Sequence, residues 1–168
     1  MKDMAFIQPC FIRKNTPELR KKLEELGYTS SYPIRQHPEV YKNIAACNFF
    51  GPHYYGVSTD EASRPGNTKD AIRKRGFIDC GDNEDLFIAL AALRDDTDKE
   101  QWFITYKGSH PYMSYAAILC RENKWEDEYI KETHRASFIY TKPEDYHKAG
   151  VEELIKFYED DEKDLNED

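Results

Sequence analysis

Three times along this chain a short apolar run gives way to a polar turn that can cap a helix, and then to an amphipathic helix. The first instance runs from Ala5 to Ile12, turns at Asn15 and Thr16, and continues in a helical pattern that stops at Gly27. Thr16 can accept from the free N–H groups of the first turn, Pro17 suits the first helical position, and Glu18 complements the positive dipole end. Leu19, Leu23 and Leu26 then fall on one face, and Gly27 supplies the left-handed stop. The second instance is Gly76 to Cys80, a turn at Gly81-Asp82-Asn83, and a helix from Glu84 to Arg94 capped by Asp82 or Asn83. Asp95-Asp96-Thr97-Asp98 ends that helix, and Gln101 to Tyr106 reads as a strand. The third is Ser137 to Tyr140, a turn containing Pro143, and a helix from Val151 to Tyr158 with Val151, Leu154, Ile155 and Tyr158 on one side. Units of this kind arise wherever helices pack on a sheet, and with irregular spacing and no recurring motif they do not make a true repeat. The expectation is therefore an α+β fold: a single domain over residues 1–158, with a mixed, mostly antiparallel sheet and about three helices. Shorter strands are predicted at Tyr28 to Ile34, Ala45 to Phe50, Tyr54 to Ser58 and Ala116 to Cys120, with a loop from Ser58 to Lys69.

A chain of 168 residues can bury a sufficient core without disulfides or metal, and an aromatic content of 14% supplies large units of apolar area. The charge is unevenly placed. Residues 159–168 hold seven acids against Lys163, which is −6 of the net −8 and leaves −2 for residues 1–158. That C-terminal stretch reads as a solvated, disordered acidic tail. The nearly balanced remainder has no general attraction for DNA phosphate, so nucleic acid is not an expected partner. The longest apolar stretch, around Leu86 to Leu93, is far too short to cross a bilayer, and no apolar leader follows Met1-Lys2-Asp3. Cys10, Cys47, Cys80 and Cys120 lie 37, 33 and 40 residues apart, with no CxxC or CxH pair. Local zinc binding is thereby excluded, and buried, reduced thiols in a cytoplasmic protein are expected, with no metal or cofactor.

Two stretches carry a family likeness. Arg13-Lys14-Asn15-Thr16-Pro17-Glu18-Leu19-Arg20-Lys21-Lys22-Leu23-Glu24-Glu25-Leu26-Gly27-Tyr28 is one. The other is Ile78-Asp79-Cys80-Gly81-Asp82-Asn83-Glu84-Asp85-Leu86-Phe87, continued in Leu93 to Phe103. Both resemble short uncharacterised proteins of phages and mobile elements of gut Bacteroidetes, and the helix at Val151-Glu152-Glu153-Leu154-Ile155 is similar to a C-terminal element of that group. The likeness covers about a third of the chain and implies an accessory or host-interaction role. It implies no catalytic residue.

Two constellations could carry function. His53, Tyr54 and Tyr55 sit in the densest aromatic patch, Asn48 to Gly56, where a hairpin could present them to a protein partner, since Tyr gives large contact area at low entropy cost. The bland reading is that these rings fill the core. Cys80, Asp82 and Asn83 lie where a strand meets a helix N-terminus, which can lower a thiol pKa or hold an anion. A tight turn with its cap would use the same residues. The basic run Lys69 to Arg75 could touch a phosphate, though a solvated stretch is commoner. The leading expectation is a non-enzymatic accessory protein that binds another protein. The alternative is a small enzyme, or a nucleotide- or phosphate-binding protein, using Cys80 with His53 as a base.

Overall fold

The computed structural model describes residues 6–30, 32–47, 53–58, 60, 69–107, 114–121 and 146–166. The chain is α+β, with mixed sheets and five helices among the described residues. It divides into two compact units, Met1–Leu93 and Arg94–Asp168.

The first unit is built on a five-stranded sheet. In chain order its strands are β1 (Cys10–Ile12), β2 (Thr29–Ser30), β3 (Ile44–Cys47), β4 (His53–Val57) and β5 (Ile78–Asp79). Their order across the sheet is β2-β4-β3-β1-β5. Strand β1 pairs antiparallel with β3, Cys10 opposite Cys47 and Phe11 opposite Ala46, and parallel with β5. Strand β4 pairs antiparallel with β3 and parallel with β2, which sets His53 opposite Thr29 and Tyr54 opposite Ser30. All three residues of β1 and all four of β3 are buried, as strands covered on both faces require.

Because side chains alternate across a strand, Phe11, Ala46, Ile44 and Val57 share one face. They form a buried cluster with Ile72 of helix α3 (Lys69–Lys74), with Phe77 packed against it. Helices α1 (Pro17–Leu26) and α4 (Glu84–Ala91) lie against each other, α4 also touching β1. Leu19 and Leu23 of α1 and Leu86, Phe87, Leu90 and Ala91 of α4 are buried, and Tyr28 Oη donates to Ala91 O at 2.6 Å. The Phe6 and Tyr28 rings stack 4.2 Å apart. A short helix α2 (Tyr32–Gln36) follows β2.

The second unit has a three-stranded antiparallel sheet, β6 (Trp102–Lys107) between β7 (Ser114–Leu119) and β8 (His147–Lys148), and helix α5 (Val151–Asn166). Phe157 of α5 places its ring 5.4 Å from Trp102 and 5.0 Å from Tyr158. Gly150 begins α5, its N–H donating to Glu153 Oε1 at 3.1 Å, while Glu153 Oε2 lies 2.6 Å from His147 Nε2. Lys148 Nζ donates to Thr97 O at 2.7 Å and pairs with Asp98 at 3.3 Å, tying β8 to the acidic turn after Arg94.

The first helix matches its sequence signals. Thr16 Oγ1 accepts from Leu19 N–H, and Gly27 takes a left-handed φ of 109°. Other elements differ from the reading above. The strand expected over Tyr28 to Ile34 stops at Ser30 and gives way to a helix, since Pro33 near a helix start loses no needed N–H. The basic run from Lys69, read as a solvated stretch, is helical over Lys69–Lys74 and anchored by Ile72, which is 1% exposed. The second helix ends at Ala91, short of Arg94. Residues 159–166, read as disordered, continue α5 as helix through Asn166. Glu, Lys and Leu are good helix formers, and Glu159 stands four residues before Lys163, the spacing that supports a helix surface. The strand at Ser137 to Tyr140 and the turn at Pro143 lie outside the described residues.

Candidate functional site

The residues singled out by sequence fall on strands three steps apart in the first unit's sheet, β4 inside the edge strand β2 and β5 at the other edge. His53 opens β4, exposed, with Nδ1 2.8 Å from Thr29 Oγ1. Cys80 follows β5 at the other edge. Between β4 and β5 lie three inter-strand steps of about 4.8 Å each, roughly 14 Å. A Cys80–His53 nucleophile and base cannot be assembled across that distance.

Tyr54 points into the core and is 1% exposed. Burial raises its phenol pKa, with the Ser30 side chain opposing the effect. The bland reading of this ring is the right one. The backbone of Tyr55 lies in β4 opposite Ala46, while Asn48 to Pro52 lie outside the described residues.

Cys80 is 5% exposed, and its thiol pKa is raised by the neighbouring Cys10 side chain and by burial. Cys10, wholly buried opposite Cys47, is raised as well, by burial first and then by Cys47. Three thiols thus cluster in the apolar interior, and those of Cys10 and Cys80 are moved away from thiolate formation, the reverse of what a nucleophile needs. No group of three metal-ligating side chains that could hold an ion occurs among the described residues.

Asp82 and Asn83 shape the turn. Asn83 Oδ1 accepts from Leu86 N–H at 3.0 Å, and Asn83 O from Phe87 N–H at 3.1 Å, so Asn83 is the helix cap. Asn83 N–H in turn donates to Cys80 O at 3.0 Å, and Gly81 N–H donates to Asp79 Oδ1 at 2.9 Å. The N–H groups of Gly81, Asn83 and Leu86 are thus taken within the turn, and Asp82, Glu84 and Asp85 add acidic residues to the same stretch, which disfavours a phosphate.

The structure assembles a different cluster there. Asp79 ends β5, and Arg13 follows β1 directly, at the carboxyl ends of the two parallel strands. Arg13 grips Asp79 side-on, Nε to Oδ1 at 3.2 Å and Nη2 to Oδ2 at 2.6 Å. From α3, Arg73 donates to the same Oδ2 through Nε at 3.0 Å and through Nη2 at 2.5 Å. Burial alone would raise the Asp79 pKa, but the hydrogen bonds from Arg13, Gly81 N–H and Arg73 hold it at about 2. Its side chain is 12% exposed, against 36% for Arg13 and 44% for Arg73. A sunken carboxylate therefore orients two accessible guanidinium groups. Lys14 extends the rim and pairs with Glu84 at 3.6 Å.

Sequence reasoning missed this group because Arg13 and Asp79 are 66 positions apart. The available signal was the basic run over 69–75 facing the acidic turn, and only the parallel pairing of β1 with β5 brings Arg13 to it. Comparison with known proteins adds nothing to the geometry: no family model, no curated protein and no solved structure matches the chain.

Proposed function

We propose that the chain is a non-enzymatic accessory protein that docks onto a partner protein through the Arg13–Asp79–Arg73 cluster. The observation that carries this reading is the fork of Arg13, which the sunken Asp79 holds from one side while 36% of the side chain stays exposed. Arg13 commits only Nε and Nη2 to Asp79, so its Nη1 donors remain for an incoming carboxylate, and a fork already held in place loses little freedom on binding. The carboxyl ends of parallel strands are also where open α/β sheets commonly place ligands. The partner is expected to offer an acidic side chain. A cytoplasmic setting and a phage or mobile-element origin belong to the same proposal, supported by the resemblance of Arg13 to Tyr28 and of Ile78 to Phe103.

The test is to isolate partners by crosslinking in the native host and then measure the purified pair directly. Arg13→Ala is expected to weaken the complex at least tenfold, and binding should fall as salt rises, because exposed charges are screened. Unchanged affinity in both Arg13→Ala and Arg73→Ala, each with an intact fold, would remove this docking point.

A further inference from the structure

Cys10 and Cys47 have no part in the docking rim, and the pairing of β1 fixes how they stand to each other. Pro9 O and Phe11 O accept from the N–H groups of Ile78 and Cys80, and Arg13 N–H donates to Gly81 O. Alternate residues of β1 therefore turn their backbone groups toward β5. Cys10, between two of them, turns its own toward β3, where Cys47 stands directly opposite. A cross-strand pair bonded in this way holds its Cα atoms about 5.5 Å apart, with both side chains on one face. That separation lies inside the range of roughly 4.4–6.8 Å that a disulfide bridges without moving the backbone. Cys80 is placed differently. The parallel register sets Cys10 opposite Ile78, so Cys80 stands two residues further along, on a diagonal of about 8 Å that exceeds this reach. The side chains of Cys47 and Cys80 both reach the Cys10 thiol, so backbone spacing is what separates the two candidate partners.

We propose that Cys10 and Cys47 are a closable dithiol, reduced in the resting protein and joined as a disulfide by a peroxide. In the first step one thiolate attacks a peroxide oxygen, the O–O bond breaks, and a sulfenic acid forms as hydroxide leaves and takes up the thiol's proton to become water. In the second step the other thiol gives up its proton and attacks the sulfenic sulfur. The S–S bond forms, and the hydroxyl leaves with that proton as water. The two sulfurs lose two electrons, and one hydrogen peroxide is reduced to two waters. Both thiols are wholly buried, and burial holds that of Cys10 against ionisation, so closure proceeds only as fast as the surrounding structure opens. The device answers sustained oxidation rather than a brief pulse. Once closed, it ties β1 to β3 across α1 and α2 and restricts the unfolded chain.

The test is made on the full chain with hydrogen peroxide as the probe. Remaining thiols are blocked with N-ethylmaleimide in denaturant, and the unreduced digest is mapped by mass spectrometry. Cys10–Cys47 is the expected linkage. The thermal midpoint should rise by about 5 °C or more and return on treatment with dithiothreitol. Cys80→Ala should close as wild type does, whereas Cys47→Ala should show neither the linkage nor the rise. Cys10–Cys80 as the main product, or a linked chain with an unraised midpoint, would overturn the proposal. So would Cys10 and Cys47 left unlinked after an exposure that oxidises the same thiols in urea. If Cys47→Ala does not fold, the wild-type map and Cys80→Ala still decide.

Discussion

Replacing Tyr54 with alanine removes a ring that is 1% exposed, and large-to-small changes at such sites cost about 3–5 kcal/mol. The expected result is a large fall in the urea midpoint, so a Tyr54/Tyr55 double-alanine chain is unsuited to probing a binding surface. His53→Ala, at an exposed strand end, should change stability by no more than about 0.5 kcal/mol in the same assay. The thiols invite a kinetic measurement. Cys10, Cys47, Cys80 and Cys120 are all buried, and Cys10 and Cys80 are held against ionisation. Iodoacetamide labelling of the folded protein, followed by mass spectrometry, should therefore be slow at all four and fast only after denaturation. Rapid native labelling of Cys80 would revive a nucleophilic role for it. At this scale burial was the illegible quantity: Cys80-Gly81-Asp82-Asn83 reads equally well as a reactive turn or a helix cap until the Cys10 neighbour is known.

Helix caps were the most legible elements, because their logic is local. Thr16→Ala and Asn83→Ala each remove one side-chain acceptor from a first-turn N–H, and each should cost about 1 kcal/mol in chemical unfolding. The helix over Lys69–Lys74 was not legible, since six residues carry too little periodicity to separate a helix from a solvated basic run. Its role emerges with the packing of Ile72 and the reach of Arg73 to Asp79. That ion pair links elements and should show in the pH dependence of stability. The Asp79 pKa is lowered from 3.8 to about 2 on folding, so the stabilisation is complete above the unfolded value and is lost as pH falls through the folded one. Asp79→Asn should accordingly be less stable than wild type at neutral pH, and the two thermal midpoints should converge between about pH 4 and pH 2. A gap of constant size across that window would mean that the arginines do not favour the ionised carboxylate.

Over the whole molecule, the α+β class followed from alternating strand and helix patterns, whereas the strand order depended on pairings that no local signal encodes. The first unit has its own sheet and buried cluster, so a Met1–Leu93 fragment is expected to give a cooperative urea transition by circular dichroism. A gradual, non-cooperative loss of signal would instead favour one indivisible domain. The place of β1 has a further consequence during synthesis. Cys10–Ile12 sits between β3 and β5, and Cys10 meets Ile78 across the parallel pair. A ribosome adding about 5–20 residues per second leaves one side of this apolar strand open for roughly 3–14 seconds until its last neighbour emerges. This fully buried strand is among the first to be made and among the last to be enclosed, which makes the nascent chain a natural client for a chaperone that shields apolar segments at the exit tunnel.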